Sequence, residues 1–263
     1  MAGSVTRLGR AVALAATCAM LWPGPSFAYR PFDATDAAVA DLGELKIEFG
    51  PAQFRRSDTE QTAIAPAYVF NYGFAKNWEA VLEGQAEHQV SPPEDAQSRL
   101  VDNGFFLKGV LRDGVLQDKI GPSIATEFGV LLPGINDQPG FGASLLGIVS
   151  QRWSWGTVHF DLGAALTREH DGDLFVGTIV EGPYDWKIRP VAEVDYEREF
   201  NVKETFAVLG GAIWRASENL AFDLALREAW VNGRPETEIR AGLTFSMSAQ
   251  NEAMQRSLQL MRH

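Results

Sequence analysis

His159 and Asp161 stand two residues apart, a spacing that puts both side chains on one face of a strand and lets a carboxylate orient an imidazole. The other histidines, His88, His170 and His263, have no such neighbour. A hydrolytic relay also needs a nucleophile, and no serine motif supplies one, so no catalytic residue is expected. His170-Asp171-Gly172-Asp173 gathers an imidazole and two carboxylates around a glycine. It reads as a cation-binding loop or as a tight turn, and the turn is the reading taken. No glycine-rich phosphate loop and no metal-spaced His/Cys set occurs, so no metal and no cofactor is expected.

Far more of the chain's chemistry lies in charged residues that alternate with apolar ones. Over 187–197, Lys187, Arg189, Glu193, Asp195 and Glu197 share one face, while Ile188, Pro190, Ala192, Val194 and Tyr196 share the other. Glu44, Lys46 and Glu48 oppose Leu45, Ile47 and Phe49, and Glu79, Glu83 and Glu87 oppose Trp78, Leu82 and Ala86. His159 and Asp161 oppose Val158, Phe160 and Leu162; Glu236, Glu238 and Arg240 oppose Ile239 and Ala241. The residues expected to line a lumen are Glu83, Glu87, Lys108, Arg112, Lys119, Asp161, Lys187, Arg189, Glu193, Asp195, Arg227 and Arg240. Such a wall does one of two things. It closes on itself as a salt-bridged network, or it borders an aqueous path whose acidic excess disfavours anions.

The elements that position this wall are strands. About twelve segments alternate, at 43–54, 59–73, 77–88, 101–113, 118–133, 140–152, 155–169, 173–183, 187–199, 203–215, 219–231 and 236–247. Facing is ambiguous over 142–152 and 203–216. Tight turns are expected at 74–77, 113–114, 153–156, 183–185 and 216–219, all at one end. Longer connections, 89–100 and 133–140, fall at the other. Aromatic residues gather at strand ends: Tyr68, Phe70, Tyr72 and Trp78, then Trp153 and Trp155, then Tyr184 and Trp186. Rings at a headgroup boundary produce this pattern. The fold class expected is all-β, a single closed antiparallel transmembrane β-barrel of about 12 strands. Closure follows because unpaired backbone groups cannot sit in hydrocarbon.

Compartment comes from the first 28 residues. Arg7 and Arg10 precede the apolar run 11–22, and Ser26-Phe27-Ala28 is a small-x-small cleavage site. This reads as a signal peptide (1–28) too short to span a bilayer. Behind it come a periplasmic segment (29–42), the barrel (43–247) and a polar periplasmic tail (248–263) with Met254, Leu258 and Met261 at helical spacing. Cys18, the single cysteine, lies in the leader, so the exported chain would hold neither disulfide nor thiol chemistry. Loss of the two leader arginines moves the formal net charge from −11 to −13, which excludes nucleic acid as a partner.

Two stretches carry a resemblance. Arg30-Pro31-Phe32-Asp33-Ala34-Thr35-Asp36-Ala37, followed by Gly43-Glu44-Leu45-Lys46-Ile47-Glu48, resembles the opening of outer-membrane proteins grouped as a phenol-degradation meta-pathway, or transporter-like, family. Tyr72-Gly73-Phe74-Ala75-Lys76-Asn77-Trp78-Glu79 resembles that family's first tight turn. Arg240-Ala241-Gly242-Leu243-Thr244-Phe245-Ser246-Met247 is similar to the last-strand signal of outer-membrane barrels, which implies recognition by the barrel-assembly machinery. The resemblance implies a cell outer-membrane location in a Gram-negative envelope, outer-membrane lipids around the wall, and a porin-like channel or transporter for small molecules, hydrophobic ones among them. Two alternatives stand beside it: a structural or interaction barrel with a closed, salt-bridged lumen, and an outer-membrane lipid hydrolase.

Overall fold

The computed structural model describes residues 30–91 and 97–248. The expected leader, the tail helix and part of the 89–100 loop lie outside the described residues. Twelve antiparallel strands, each hydrogen-bonded to its neighbours in sequence, close into a barrel when β1 pairs with β12. They are β1 (Glu44–Ser57), β2 (Gln61–Ala75), β3 (Trp78–Ser91), β4 (Ser98–Arg112), β5 (Ser123–Leu131), β6 (Gly142–Trp153), β7 (Gly156–Leu166), β8 (Gly172–Glu181), β9 (Ile188–Glu199), β10 (Lys203–Arg215), β11 (Leu220–Val231) and β12 (Arg234–Ser248).

The polarity of the wall is inverted relative to a water-soluble sheet. On β7, Leu162 is 55% exposed and the adjacent Asp161 is fully buried; on β11, Leu224 is 61% exposed and Asp223 only 5%. Apolar residues cover the outside and charges point in. That is the arrangement a hydrocarbon surround stabilises and water does not. Aromatic pairs stack on the outer face near the strand ends, with Trp153 on Trp155, Trp214 on Phe222 and Phe206 on Trp230.

Prolines mark where the alternation changes phase. The β1–β12 ladder slips between Phe49 and Ala52, around Pro51, and the β2–β3 ladder slips between Ile64 and Ala67, around Pro66. A residue with no N–H cannot serve a ladder, so the strand bulges there. Below the β1 bulge the buried positions are Lys46 and Glu48; above it Gln53 is buried. The two segments of ambiguous facing are ambiguous because their inward residues are apolar. Ile148 on β6 and Leu209 and Ile213 on β10 are buried inside the barrel, as is Ile179 of β8.

Two expectations are corrected at the end where both β1 begins and β12 ends. Alternation predicts a strand over 118–133 after a tight turn at 113–114, but β5 begins only at Ser123. Residues 113–122 instead form a connection with a 3-10 turn at Val115–Gln117. It is held by Gly114 N–H to Gln117 Oε1 and Leu116 N–H to Ser123 Oγ. Leu116 then packs against Ala125 and Ile148, so the connection covers the apolar interior patch. Tyr184 does not join the outer aromatic belt. Its ring lies between the Arg152 and Arg215 guanidiniums, 4.2 and 5.7 Å from their central carbons, where cation–π attraction holds it.

Candidate functional site: the charged lumen and the segment inside it

Residues 30–41 lie within the barrel, where the sequence pattern expects a periplasmic segment. They enter beside the start of β1, where Asp41 N–H donates to Glu44 Oε2 and the Asp41 carbonyl accepts from Glu44 N–H. From there the chain makes a circuit of the inner wall. Ala40 N–H donates to Glu79 of β3 at 2.6 Å, and Ala37 N–H to Ser150 Oγ of β6 at 2.9 Å. Thr35 N–H donates to Asp161 of β7 at 2.7 Å, and Ala34 N–H to Glu193 of β9 at 2.6 Å. Arg30 N–H reaches Glu48 of β1, closing the loop.

The physical reason is an accounting one. An irregular segment has no ladder to satisfy its N–H groups, and burial without partners is costly. Here the wall's carboxylates supply the acceptors, in charge-assisted bonds of roughly 1.5–3 kcal/mol each. Small side chains make the fit. Ala34, Ala37 and Ala40 are buried, and wall glycines leave room: a Cβ at Gly73 would overlap the Asp41 carbonyl, and one at Gly242 the Arg30 guanidinium.

Asp33 is the ionic anchor. Its carboxylate meets Arg227 Nε of β11 at 2.6 Å and Arg240 Nη1 of β12 at 2.7 Å. Burial opposes its ionisation, but the Arg240 and Arg227 guanidiniums outweigh that and hold the carboxyl down at about 2. Arg240 also donates to the Pro31 carbonyl, and Lys108 of β4 donates to Thr35 Oγ1 at 3.1 Å.

Of the residues expected in the lumen, Glu83, Glu87, Lys108, Asp161, Arg189, Glu193, Asp195, Arg227 and Arg240 sit on the inner face of their strands. Three do not. Arg112, the last residue of β4, is exposed and donates to the Pro122 carbonyl. Lys119 and Lys187 are exposed in the connections before β5 and β9. Alternation extrapolated past a strand end placed them inside. The pattern missed Asp33, Ser150, Glu181 and Asp223. Asp223 shares parity with Arg227 and was findable; Ser150 sits in a strand whose inner face carries Leu146 and Ile148 and no carboxylate.

His159 acquires a serine neighbour that no motif announces. Ser150 pairs with it across the β6–β7 ladder, Ser150 Oγ lies 2.8 Å from His159 Nδ1, and Glu181 Oε1 lies 3.3 Å from Nε2. Arg189 holds the other Glu181 oxygen at 3.0 Å. All of these are buried, and Ser150 Oγ already accepts the Ala37 N–H. In this geometry the chain of bonds fastens residues 30–41 to the wall.

Above this segment, towards the end opposite the chain's entry, the lumen opens into two adjoining cavities of about 510 and 690 Å³. Asp33, Glu83 and Asp102 border both. Arg55 and Arg99 clasp Glu87 there at 2.6 and 2.8 Å. Glu83 and Glu127, by contrast, have no ion-pair partner among the described residues.

A twelve-stranded closed barrel, charged inside and apolar outside, is the architecture of outer-membrane β-barrels. Among solved structures, the chain is similar to the COG4313 outer membrane channel from Pseudomonas putida F1, with a TM-score of 0.59 and 10% identity over 82% of this chain and 100% of that one. It is also similar to the KdgM porin in complex with disordered oligogalacturonate, with a TM-score of 0.51 and 11% identity over 77% of this chain and 99% of that one. Identity this low establishes the fold alone. No family model matches the sequence, and no curated protein matches it.

Proposed function

We propose that this chain is an outer-membrane channel for small hydrophilic solutes, closed by its own residues 30–41. One observation carries the reading. The segment crosses the lumen on bonds to β1, β3, β6, β7, β9, β11 and β12, while a water-accessible charged vestibule remains above it. A purely structural barrel has no need of a vestibule; an open pore has no need of a stopper. The Arg30–Ala37 stretch that resembles the transporter-like family is also the stretch that makes most of these contacts. That resemblance implies small molecules, hydrophobic ones among them, whereas the charged lining favours hydrated ones, cations above anions. Export by the 1–28 leader, insertion through the assembly machinery by way of Arg240–Met247, and entry of residues 30–41 from the periplasmic side belong to the same proposal.

Planar-bilayer recording tests it. The full chain should show small or infrequent conductance steps, and a variant lacking residues 30–41 should show large, sustained ones. If the deleted barrel is folded and silent at all voltages, the channel reading is wrong. A second reading, a permanently closed barrel, draws on the same dense contacts; it predicts that the deletion opens the pore but the full chain never conducts.

A further inference from the structure

The bonds around His159 carry more chemistry than a fastening needs. Ser150 Oγ lies 2.8 Å from His159 Nδ1 and Glu181 Oε1 lies 3.3 Å from Nε2, while Arg189 holds the second Glu181 oxygen at 3.0 Å. A nucleophile, a base and an orienting carboxylate thus come from three successive strands, β6, β7 and β8. Glu181 beside Nε2 keeps the imidazole proton there, which leaves Nδ1 to accept the proton of the Ser150 hydroxyl. Withdrawal of that proton is what turns a serine into a nucleophile.

The place a substrate would take is filled by the chain itself. Ala37 N–H donates to Ser150 Oγ at 2.9 Å, and the Ala37 carbonyl accepts from Gln117 Nε2 at 3.0 Å. The first bond takes up a lone pair with which the hydroxyl would attack. The second is an amide donor already holding a carbonyl oxygen, as the donors of acyl-transfer sites hold the developing oxyanion. The Ala37 methyl packs against Ala125 and Ile148, so the same place has a small apolar pocket. We infer that Ser150, His159 and Glu181 form a hydrolytic relay for small carboxylic esters with short apolar acyl groups, and that Ala37 caps it. The inference rests on the reading that residues 30–41 can leave the lumen.

In the first half of the reaction, Ser150 Oγ bonds to the ester carbonyl carbon as its proton passes to His159 Nδ1, and Gln117 Nε2 donates to the carbonyl oxygen. The bond from that carbon to the alcohol oxygen then breaks, and the alcohol leaves with the proton from His159. Water adds to the acyl-serine by the same route, releasing the carboxylic acid and restoring the hydroxyl. Ser150, His159 and Glu181 all lie on the inner face, so the substrate is a soluble ester rather than a bilayer lipid.

A fluorescent fluorophosphonate, which phosphonylates activated serines, tests the relay on the folded, detergent-solubilised full chain. The wild type should label slowly. Asp33→Asn, which loosens the segment, should label roughly tenfold faster, with Ser150 as the modified residue in peptide maps, and should hydrolyse p-nitrophenyl acetate. Adding Ser150→Ala or His159→Gln to Asp33→Asn should abolish both signals. Folding is checked by the mobility of the unheated protein in detergent gels, and Gly73→Val carries the test should Asp33→Asn fail to fold. A loosened variant that conducts in bilayers but leaves Ser150 unlabelled overturns the relay and leaves the channel reading standing. One that neither conducts nor labels overturns both, and labelling that survives His159→Gln also overturns the relay.

Discussion

Asp33 concentrates in one side chain what holds residues 30–41 in place, because two guanidiniums meet it and both come from the wall. Asp33→Asn keeps the shape and removes the charge. Its carboxylate keeps some contact with lumen water, so the loss is set by two charged hydrogen bonds rather than a sealed ion pair, about 1–3 kcal/mol in all. In bilayers the ratio of open to closed time should rise roughly tenfold to a hundredfold, since 1.4 kcal/mol is a factor of ten. The pH dependence has a definite sign. A carboxyl held at about 2 when docked, against 3.8 when free, stabilises the docked state fully above 3.8 and loses that contribution only as pH falls through about 2. The difference between wild type and Asp33→Asn should therefore be the same at pH 7 as at pH 5 and shrink towards pH 2. A difference that vanishes by pH 5 would mean the arginines do not hold Asp33. Gly73→Val asks the same question by bulk instead of charge: its side chain overlaps the Asp41 backbone, so the folded barrel should conduct like the deletion variant.

At the level of elements, the strands were legible and the segment inside them was not, for a shared reason. A lipid-facing wall imposes a period of two on every strand, so Lys187–Glu197 and Glu44–Phe49 reveal their facing from residue types alone. Residues 30–41 have no period. Their fit depends on small side chains and on backbone N–H groups, and neither leaves a pattern in side-chain chemistry. The 113–122 connection was misread because Asp113-Gly114 has the residues of a tight turn, while the apolar patch it covers, Ala125 and Ile148, lies on strands whose inward face does not look like a lumen. That patch supports the inserted segment too, since Ala37 packs into it and Gln117 Nε2 donates to the Ala37 carbonyl. Leu116→Ala should then cost about 1–2 kcal/mol, below the full range for a buried leucine because Leu116 is only partly buried. The expected signature is a lower guanidinium midpoint together with more frequent opening. A lower midpoint with unchanged opening would separate the connection from the gate.

For the whole molecule, the question is what an unstopped barrel would pass. Narrow low-dielectric walls make the sign of the lining decisive, because a permeating ion cannot be screened there as it is in bulk water. Arginines are present in the vestibule, yet they are spoken for: Arg55 and Arg99 hold Glu87, and Arg227 holds Asp33. Glu83 of β3 and Glu127 of β5, on the two strands that flank β4, remain without such partners among the described residues, and both border the cavity of about 510 Å³. Removing residues 30–41 takes away Arg30 along with Asp33, Asp36 and Asp41, but it also frees Glu48, Glu79, Asp161 and Glu193 from the N–H groups they now accept. The deletion removes a net formal charge of −2, yet it bares Glu48, Glu79, Asp161 and Glu193 to the permeating ion, so carboxylates still dominate the path. Across a KCl gradient the deletion variant should show a reversal potential displaced towards potassium. The double substitution Glu83→Gln/Glu127→Gln should move it part of the way back to zero without closing the pore. A chloride-selective reversal would show that Arg227 and Arg240, released from Asp33, dominate the path, and the assignment of the acidic face as the conducting surface would have to be abandoned.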